Sequence, residues 1–240
     1  MTSSVSTRSR NTSLAIALLT SGYLFGGVFV GIAVGLSVGS PNSGAFHMTR
    51  NAVAGVIALA CMIAASAMWA RDLGRRAGAA DLRRAGWAGA LSFGPVALAV
   101  GLVLTWLEQR IVERREGPAL PIHVVYGMLF VSASLVVAAV SAWALGVGLR
   151  SSVSERRRLT LTTGLAAGGA YLVVYIVMEL AGWQVGAPGA EQRATMLVVT
   201  GLGCLGAALA GGAAIGTILF RAGHTNPISN QQPSVESNSS

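Results

Sequence analysis

Apolar positions along this chain gather into six long runs, at about 14–38, 51–70, 86–107, 122–149, 159–182 and 194–220, with polar residues clustered between them. Each run is close to or above the roughly 20 residues with which a helix crosses a hydrocarbon layer about 30 Å thick. Their central turns contain no Asp, Glu, Lys or Arg. In lipid every backbone N–H and C=O must be satisfied within the segment or by a closed barrel, and a barrel would show shorter, alternating runs. The pattern therefore predicts an all-α, polytopic membrane bundle of six transmembrane helices, forming one domain over 13–221. The flanking stretches 1–12 and 222–240 are rich in Ser, Thr and Asn and lack an apolar face to bury, which predicts disordered cytoplasmic tails.

Composition supports that reading. Only 11% of the 240 residues are charged, where a soluble domain carries about a quarter. A net charge of +8 raises the question of nucleic acid, but the basic residues form no continuous stripe. They lie between the apolar runs, and twelve of the 17 fall on one side if the amino terminus is cytoplasmic. The positive-inside bias then selects amino and carboxy termini both inside. The expected partner is the lipid bilayer, with arginines near anionic headgroups, and not nucleic acid. The first run exceeds the roughly 7–15 apolar residues of a signal peptide, so it is expected to stay as a helix.

All 17 basic residues are Arg. Arginine without lysine, beside abundant Ala and Gly, suggests GC-rich coding and hence a bacterial inner membrane. The missing Lys also excludes Schiff-base chemistry. Cys61 and Cys204 lie inside apolar runs without nearby His, so they read as small packing residues and not as a metal pair.

Between the runs, Gly39, Pro41, Asn42 and Gly44 mark a turn. Residues 71–85 read as a short surface helix with Leu73 and Leu82 toward lipid. Pro95, directly after Gly94, removes a backbone hydrogen bond within the third helix and predicts a packing kink or a hinge. Helices one to three and four to six start at similar intervals, which is compatible with a 3+3 inverted repeat.

Glycine patterning distinguishes the runs. Gly27, Gly31, Gly35 and Gly39 recur every four residues, making one nearly straight stripe along the first helix. Gly203 and Gly211 lie on one stripe of the sixth helix, Gly212 and Gly216 on an adjoining one. Gly127, Ser134, Ser141 and Gly148 form a small-residue seam along the fourth. Such stripes let helix backbones approach closely in lipid. They predict tight internal packing, or, for the first-helix ladder, a contact between copies of the chain.

Candidate chemistry is sparse. Glu179 is the carboxylate nearest to lying inside a run, and Tyr171 and Tyr175 precede it at four-residue steps on the same face. An ionisable group at membrane depth suggests a proton or ion site, whereas Trp183 four residues later marks the interface. His47, Arg50 and His123 are expected at the same outer level, so with Glu179, Tyr175 and Tyr171 they outline a candidate polar mouth. No metal or other cofactor is expected, since nothing fixes two imidazoles and a carboxylate around one ion. Gly35-Leu36-Ser37-Val38-Gly39 fits the hydrolase elbow pattern only as a by-product of the glycine ladder.

Three functions follow. A permease or channel for a small solute or ion draws on Glu179, its tyrosine stripe and Pro95. A non-catalytic membrane subunit or assembly protein draws on the glycine ladders. An intramembrane enzyme or haem protein would need convergent reactive groups that the sequence does not offer.

Overall fold

A computed structural model describes residues 3–27, 44–113, 122–183 and 190–222. Among these residues the chain is helical throughout, with short turns and no strand. Helix α1 spans Ser3–Thr20 and runs into a single π turn at Ser21–Phe25; α2 spans Gly44–Arg76, α3 Leu82–Ala90 and α4 Phe93–Glu113. Helix α5 spans Ile122–Gly148, α6 Val153–Leu180 and α7 Ala190–Ala222. Four stretches of described residues are long and apolar enough to cross a membrane: Val56–Arg76, Val124–Gly148, Val153–Leu180 and Val198–Phe220. Thr12–Leu24 is a shorter apolar helix. These stretches mark a membrane protein.

The distribution of side-chain size fits that setting. Fully buried positions include Ala70, Ala85, Ala142 and Ser66, whereas Leu165, Leu102, Val173 and Met128 are 60% exposed or more. In water such an apolar exterior would be an aggregation surface. Against lipid tails it costs nothing, and small interior residues bring the helices together.

Glycine contacts reveal the register. Gly164 and Gly168 of α6 pack against Ala139 and Leu135 of α5. Gly203 and Gly211 of α7 pack against Tyr171 and Thr163 of α6, while Gly212 and Gly216 face Thr20 and Ser13 of α1. Gly89 of α3 sits on Ser66 and Ala70 of α2, and Gly148 of α5 on Ala85 and Ala88 of α3. Along the α5–α6, α6–α7 and α7–α1 contacts, and between α2 and α3 where Gly86 also meets Arg71, residue numbers rise on one helix as they fall on the other, so these neighbours are antiparallel. Gly27 faces Ala65 of α2 within the same chain. Gly31, Gly35 and Gly39 lie outside the described residues.

Several boundaries differ from the sequence expectation. The third run is two helices, α3 and α4, separated at Leu91 and Ser92. Pro95 explains the position of the break. Its ring would clash with the carbonyl four residues earlier, that of Leu91, and it has no N–H to donate there. Hydrogen bonding resumes when Val96 N–H donates to Ser92 O at 3.1 Å, leaving Pro95 in the first turn of α4 where a missing N–H is harmless. Leu91 keeps right-handed angles, φ −85° and ψ −5°, so the chain is interrupted there without being reversed.

Helix α2 continues to Arg76, which shortens the expected surface helix of 71–85 to a turn followed by α3. Leu73 is buried at 0% exposure within the core around Trp69 and Leu145, instead of facing lipid. Helix α6 starts at Val153, six residues before the expected span, because Ser152 and Glu155 form a capping box. The stretch 3–12, expected as disordered tail, belongs to α1, and the tail beyond Ala222 lies outside the described residues.

Two stability predictions follow from this packing. Adding a Cβ at Gly89 would drive it into the Ser66 carbonyl oxygen and Ala70. Gly89→Ala is expected to cost about 1–3 kcal/mol in detergent unfolding, whereas Gly201→Ala, with open space around it, is expected to be neutral or gain up to about 1 kcal/mol. Arg150 closes α5 with φ 56°, its N–H bonded to Val147 O and that of Ser151 to Gly146 O. This is a Schellman end with a side chain in the left-handed position that glycine favours. Arg150→Gly is expected to raise unfolding stability by about 0.5–1 kcal/mol.

Candidate functional site

The first and second helices are fastened by two side-chain hydrogen bonds. Trp69, 1% exposed, donates its indole N–H to Thr20 Oγ1 at 3.1 Å. Tyr23 donates to Asp72 Oδ2 at 2.8 Å, and Asp72 also accepts from Arg75 at 3.3 Å. The tyrosine reaches back along α1 because helical side chains lean toward the N-terminus. Directly after Thr20 the helix widens into the π turn Ser21–Phe25. A π turn adds a residue to one turn and rotates the following side chains, and here Leu24 is turned inward, 8% exposed.

Thr20 and Leu24 form one end of a cavity of about 730 Å³ among α1, α2, α4, α5, α6 and α7. Its α5 wall runs from Phe130 to Ala142, about 18 Å at 1.5 Å per residue. That is more than half the thickness of a hydrocarbon layer. Trp69 and Met62 come from α2, Phe93, Leu98 and Leu102 from α4, and Ala207, Gly211 and Ile215 from α7. Leu98 and Leu102 are also 44% and 63% exposed on the outside. The α4 wall is therefore one residue thick and borders the lipid-facing surface.

No Asp, Glu, Lys, Arg or His is among the described residues lining the cavity. The polar groups of its lining residues are hydroxyls, one thiol and the Trp69 indole N–H. Ser134 donates to Val131 O at 2.9 Å, Thr20 accepts from Trp69, and Tyr171 is hydrogen-bonded to Thr200. Two hydroxyls differ. Ser141 Oγ and Thr163 Oγ1 have no hydrogen-bond partner although each residue is 3% exposed. They share one level: with Gly164 against Ala139 and Gly168 against Leu135, Thr163 of α6 falls opposite the turn that carries Ser141 of α5. Thr20 joins that level, since Gly211 packs on Thr163 and its neighbour Gly212 on Thr20. Toward the other end Phe130 stacks on Tyr171 (6.3 Å between centroids, 20°) and on Tyr126 (6.4 Å, 21°).

Of the residues expected at the outer mouth, the side chains of Tyr171, Tyr175 and Glu179 are described. Tyr171, Tyr175 and Glu179 do share a face of α6, and Tyr175 Oη donates to Glu179 Oε1 at 2.9 Å. Only Tyr171 of the three lines the cavity. Tyr175 is packed against Gly127, one turn farther along, and Glu179 stands half-buried beyond it. His47 and Arg50 belong to α2 and His123 to α5, but their side chains lie outside the described residues. Pro95 stands beside the wall residues Phe93 and Ala97. Both cysteines are free thiols, and Cys204 lines the cavity.

Sequence reading missed Trp69 and Thr163 and saw Ser141 only as a small packing residue. A usable signal was present: Thr163 precedes Gly164 on the stripe that meets α5, and Ser141 lies on the α5 seam. Hydroxyls on two facing small-residue stripes point into the bundle.

No protein-family model matches the chain, and neither does a curated protein or a solved structure. The assignment of function therefore rests on the geometry.

The indole bond to Thr20 joins α1 and α2 at the edge of the cavity. Trp69→Phe removes the donor and part of the ring, and is expected to lower unfolding stability by about 2–4 kcal/mol. Trp69→Ala should cost more.

Proposed function

We propose that this chain is a six-pass membrane protein, with both termini cytoplasmic, that acts as a carrier holding a neutral, largely apolar molecule within its helical bundle. The observation that carries this reading is the cavity, some 730 Å³ in volume, lined at membrane depth by apolar side chains and uncharged hydroxyls. That volume lies in the range of small-molecule sites, about 300–1,000 Å³.

The same lining argues against an ion as cargo. A bare ion at this depth needs charged or densely polar ligands to replace its hydration, and the described lining offers neither. The permease hypothesis thus narrows to neutral cargo, with Tyr175 and Glu179 at the rim. Antiparallel packing of successive helices supports the alternation of crossings, counting α3 and α4 as one interrupted crossing. In that orientation Arg75, Arg76, Arg84 and Arg156–Arg158 lie at the cytoplasmic face.

The subunit reading has less support. Gly203, Gly206 and Gly211 of α7 are occupied by α6, and Gly212 and Gly216 by α1, so these stripes are already used within the chain. A contact between copies through Gly31, Gly35 and Gly39 remains a proposal, tested by crosslinking at those positions.

Native mass spectrometry of the purified protein tests the carrier reading. The wild type is expected to retain a neutral small-molecule adduct, and Ala138→Phe, which fills the cavity, to lose it. Glu179→Gln is expected to keep the adduct to within about twofold, since Glu179 does not line the cavity. Potassium or sodium flux into proteoliposomes above that of protein-free vesicles would overturn the reading, as would an adduct unaffected by Ala138→Phe.

A further inference from the structure

We infer that Ser141 and Thr163 are the polar anchor of the cavity, and that its ligand is a membrane-dissolved lipid bearing one neutral hydroxyl or carbonyl oxygen on an extended apolar body. This rests on the carrier reading above and names its cargo.

The first observation is what these two hydroxyls do not do. Serine and threonine inside a helix normally return their hydrogen to a carbonyl three or four residues back. Ser66, Ser134, Thr160 and Thr217 all do so here, at 2.8–3.0 Å. Ser141 and Thr163 sit in equally regular helix, yet neither makes that bond or any other. A buried hydroxyl left unpaired is costly. Two of them, at one level on facing helices in residues that line one cavity, have oxygens covered in the empty bundle that a turn about χ1 brings into the cavity, a built site whose partner is a ligand.

The second observation is the chemistry that such a pair accepts. Each hydroxyl donates one hydrogen bond and accepts others, so together they grip a single oxygen, which receives two donors as a carbonyl or exchanges donor and acceptor roles as an alcohol. No charged lining group among the described residues is available to balance a carboxylate or a phosphate. Such a group would remain an uncompensated charge at membrane depth.

The third observation concerns shape and access. From the hydroxyl level at Ser141 the α5 wall continues through Ala138, Val137 and Ala133 to Phe130 with only Ser134 as a polar residue, and its hydroxyl is already bonded to Val131. A slot about 16 Å long, apolar along α5 past its head and carrying Tyr171, Thr200 and Cys204 on its α6 and α7 side, suits an extended, largely hydrocarbon body. Leu98 and Leu102 line the slot and are also exposed outside, which directs entry from the lipid phase past α4.

Photolabelling of the full chain in nanodiscs tests this. The probes are a diazirine-bearing hexadecanol and the matched diazirine-bearing hydrocarbon without the hydroxyl. Wild type is expected to crosslink the alcohol at α5 and α6 wall peptides about tenfold more than the hydrocarbon, as two hydrogen bonds imply. Ser141→Ala with Thr163→Val should erase that preference, while Thr163→Ser, which keeps the hydroxyl, should retain it. The paired substitution removes unpaired hydroxyls, so the ligand-free variant should melt no lower than wild type; a lower melting point would overturn the anchor. Equal labelling of the cavity by both probes in the wild type would overturn the anchor and leave the carrier reading standing. Absence of cavity labelling by either probe would overturn both.

Discussion

Close approach of helix backbones at small residues is the contact on which the rest of this molecule depends. In lipid, apolar side chains gain nothing by turning inward, so association rests on van der Waals contact and sparse hydrogen bonds. Helix α7 uses this most fully. Gly211 meets Thr163 and Ala167 of α6, and the next residue, Gly212, meets Thr20 and Ala17 of α1. Two consecutive glycines therefore hold two different helices, separated in sequence by most of the chain. Thr20 and Thr163 are brought to one level by that hinge of the packing, and the polar end of the cavity exists because of it.

The cavity follows from where this close packing stops. Glycine and alanine dominate the contacts of α7 with α1 and α6, and of α3 with α2. On α4 the inward residues are Phe93, Ala97, Leu98 and Leu102, and across from them stand Met62 and Phe130. Long side chains at facing positions keep backbones apart, and helix α4 packs mainly on α2 and α5 among the described elements. The interruption at Leu91 and Ser92, forced by Pro95, frees α4 from the direction imposed on α3 by Gly89. A tight bundle with one loosely held wall results.

The sequence was most legible where one physical rule acts alone. Long apolar runs announce helices suited to lipid, four of them long enough to cross a membrane among the described residues, and the α7 glycines announce close neighbours. Which neighbour each stripe meets was not legible, because Gly211 and Gly212 differ by one residue and face different helices. The two-part third run was half legible: Pro95 signalled a disturbance, but its effect falls on the Leu91 carbonyl, so the break precedes it. Leu73 was misplaced because hydropathy alone does not reveal that α2 outlasts its apolar stretch and packs on α3 through Gly74. Tyr171, Tyr175 and Glu179 were correctly aligned on one face. That face nevertheless divides, with Tyr171 in the cavity and the carboxylate outside it, a distinction that depends on α5 and α7 being in place.

That division has a physical logic. A carboxylate within the cavity would have to be neutralised or paired, since the apolar walls offer it no hydration. At the rim, Glu179 can take a hydrogen bond from Tyr175 and still reach polar surroundings. Inside, hydroxyls provide hydrogen-bonding capacity without a charge to desolvate, and most spend it on their own helix backbone. Ser141 and Thr163 withhold it. Apolar residues of the same size would fill those positions at lower cost, so packing alone does not account for the hydroxyls. A ligand oxygen that completes both bonds does, and it converts a destabilising feature of the empty bundle into a stabilising one of the loaded bundle.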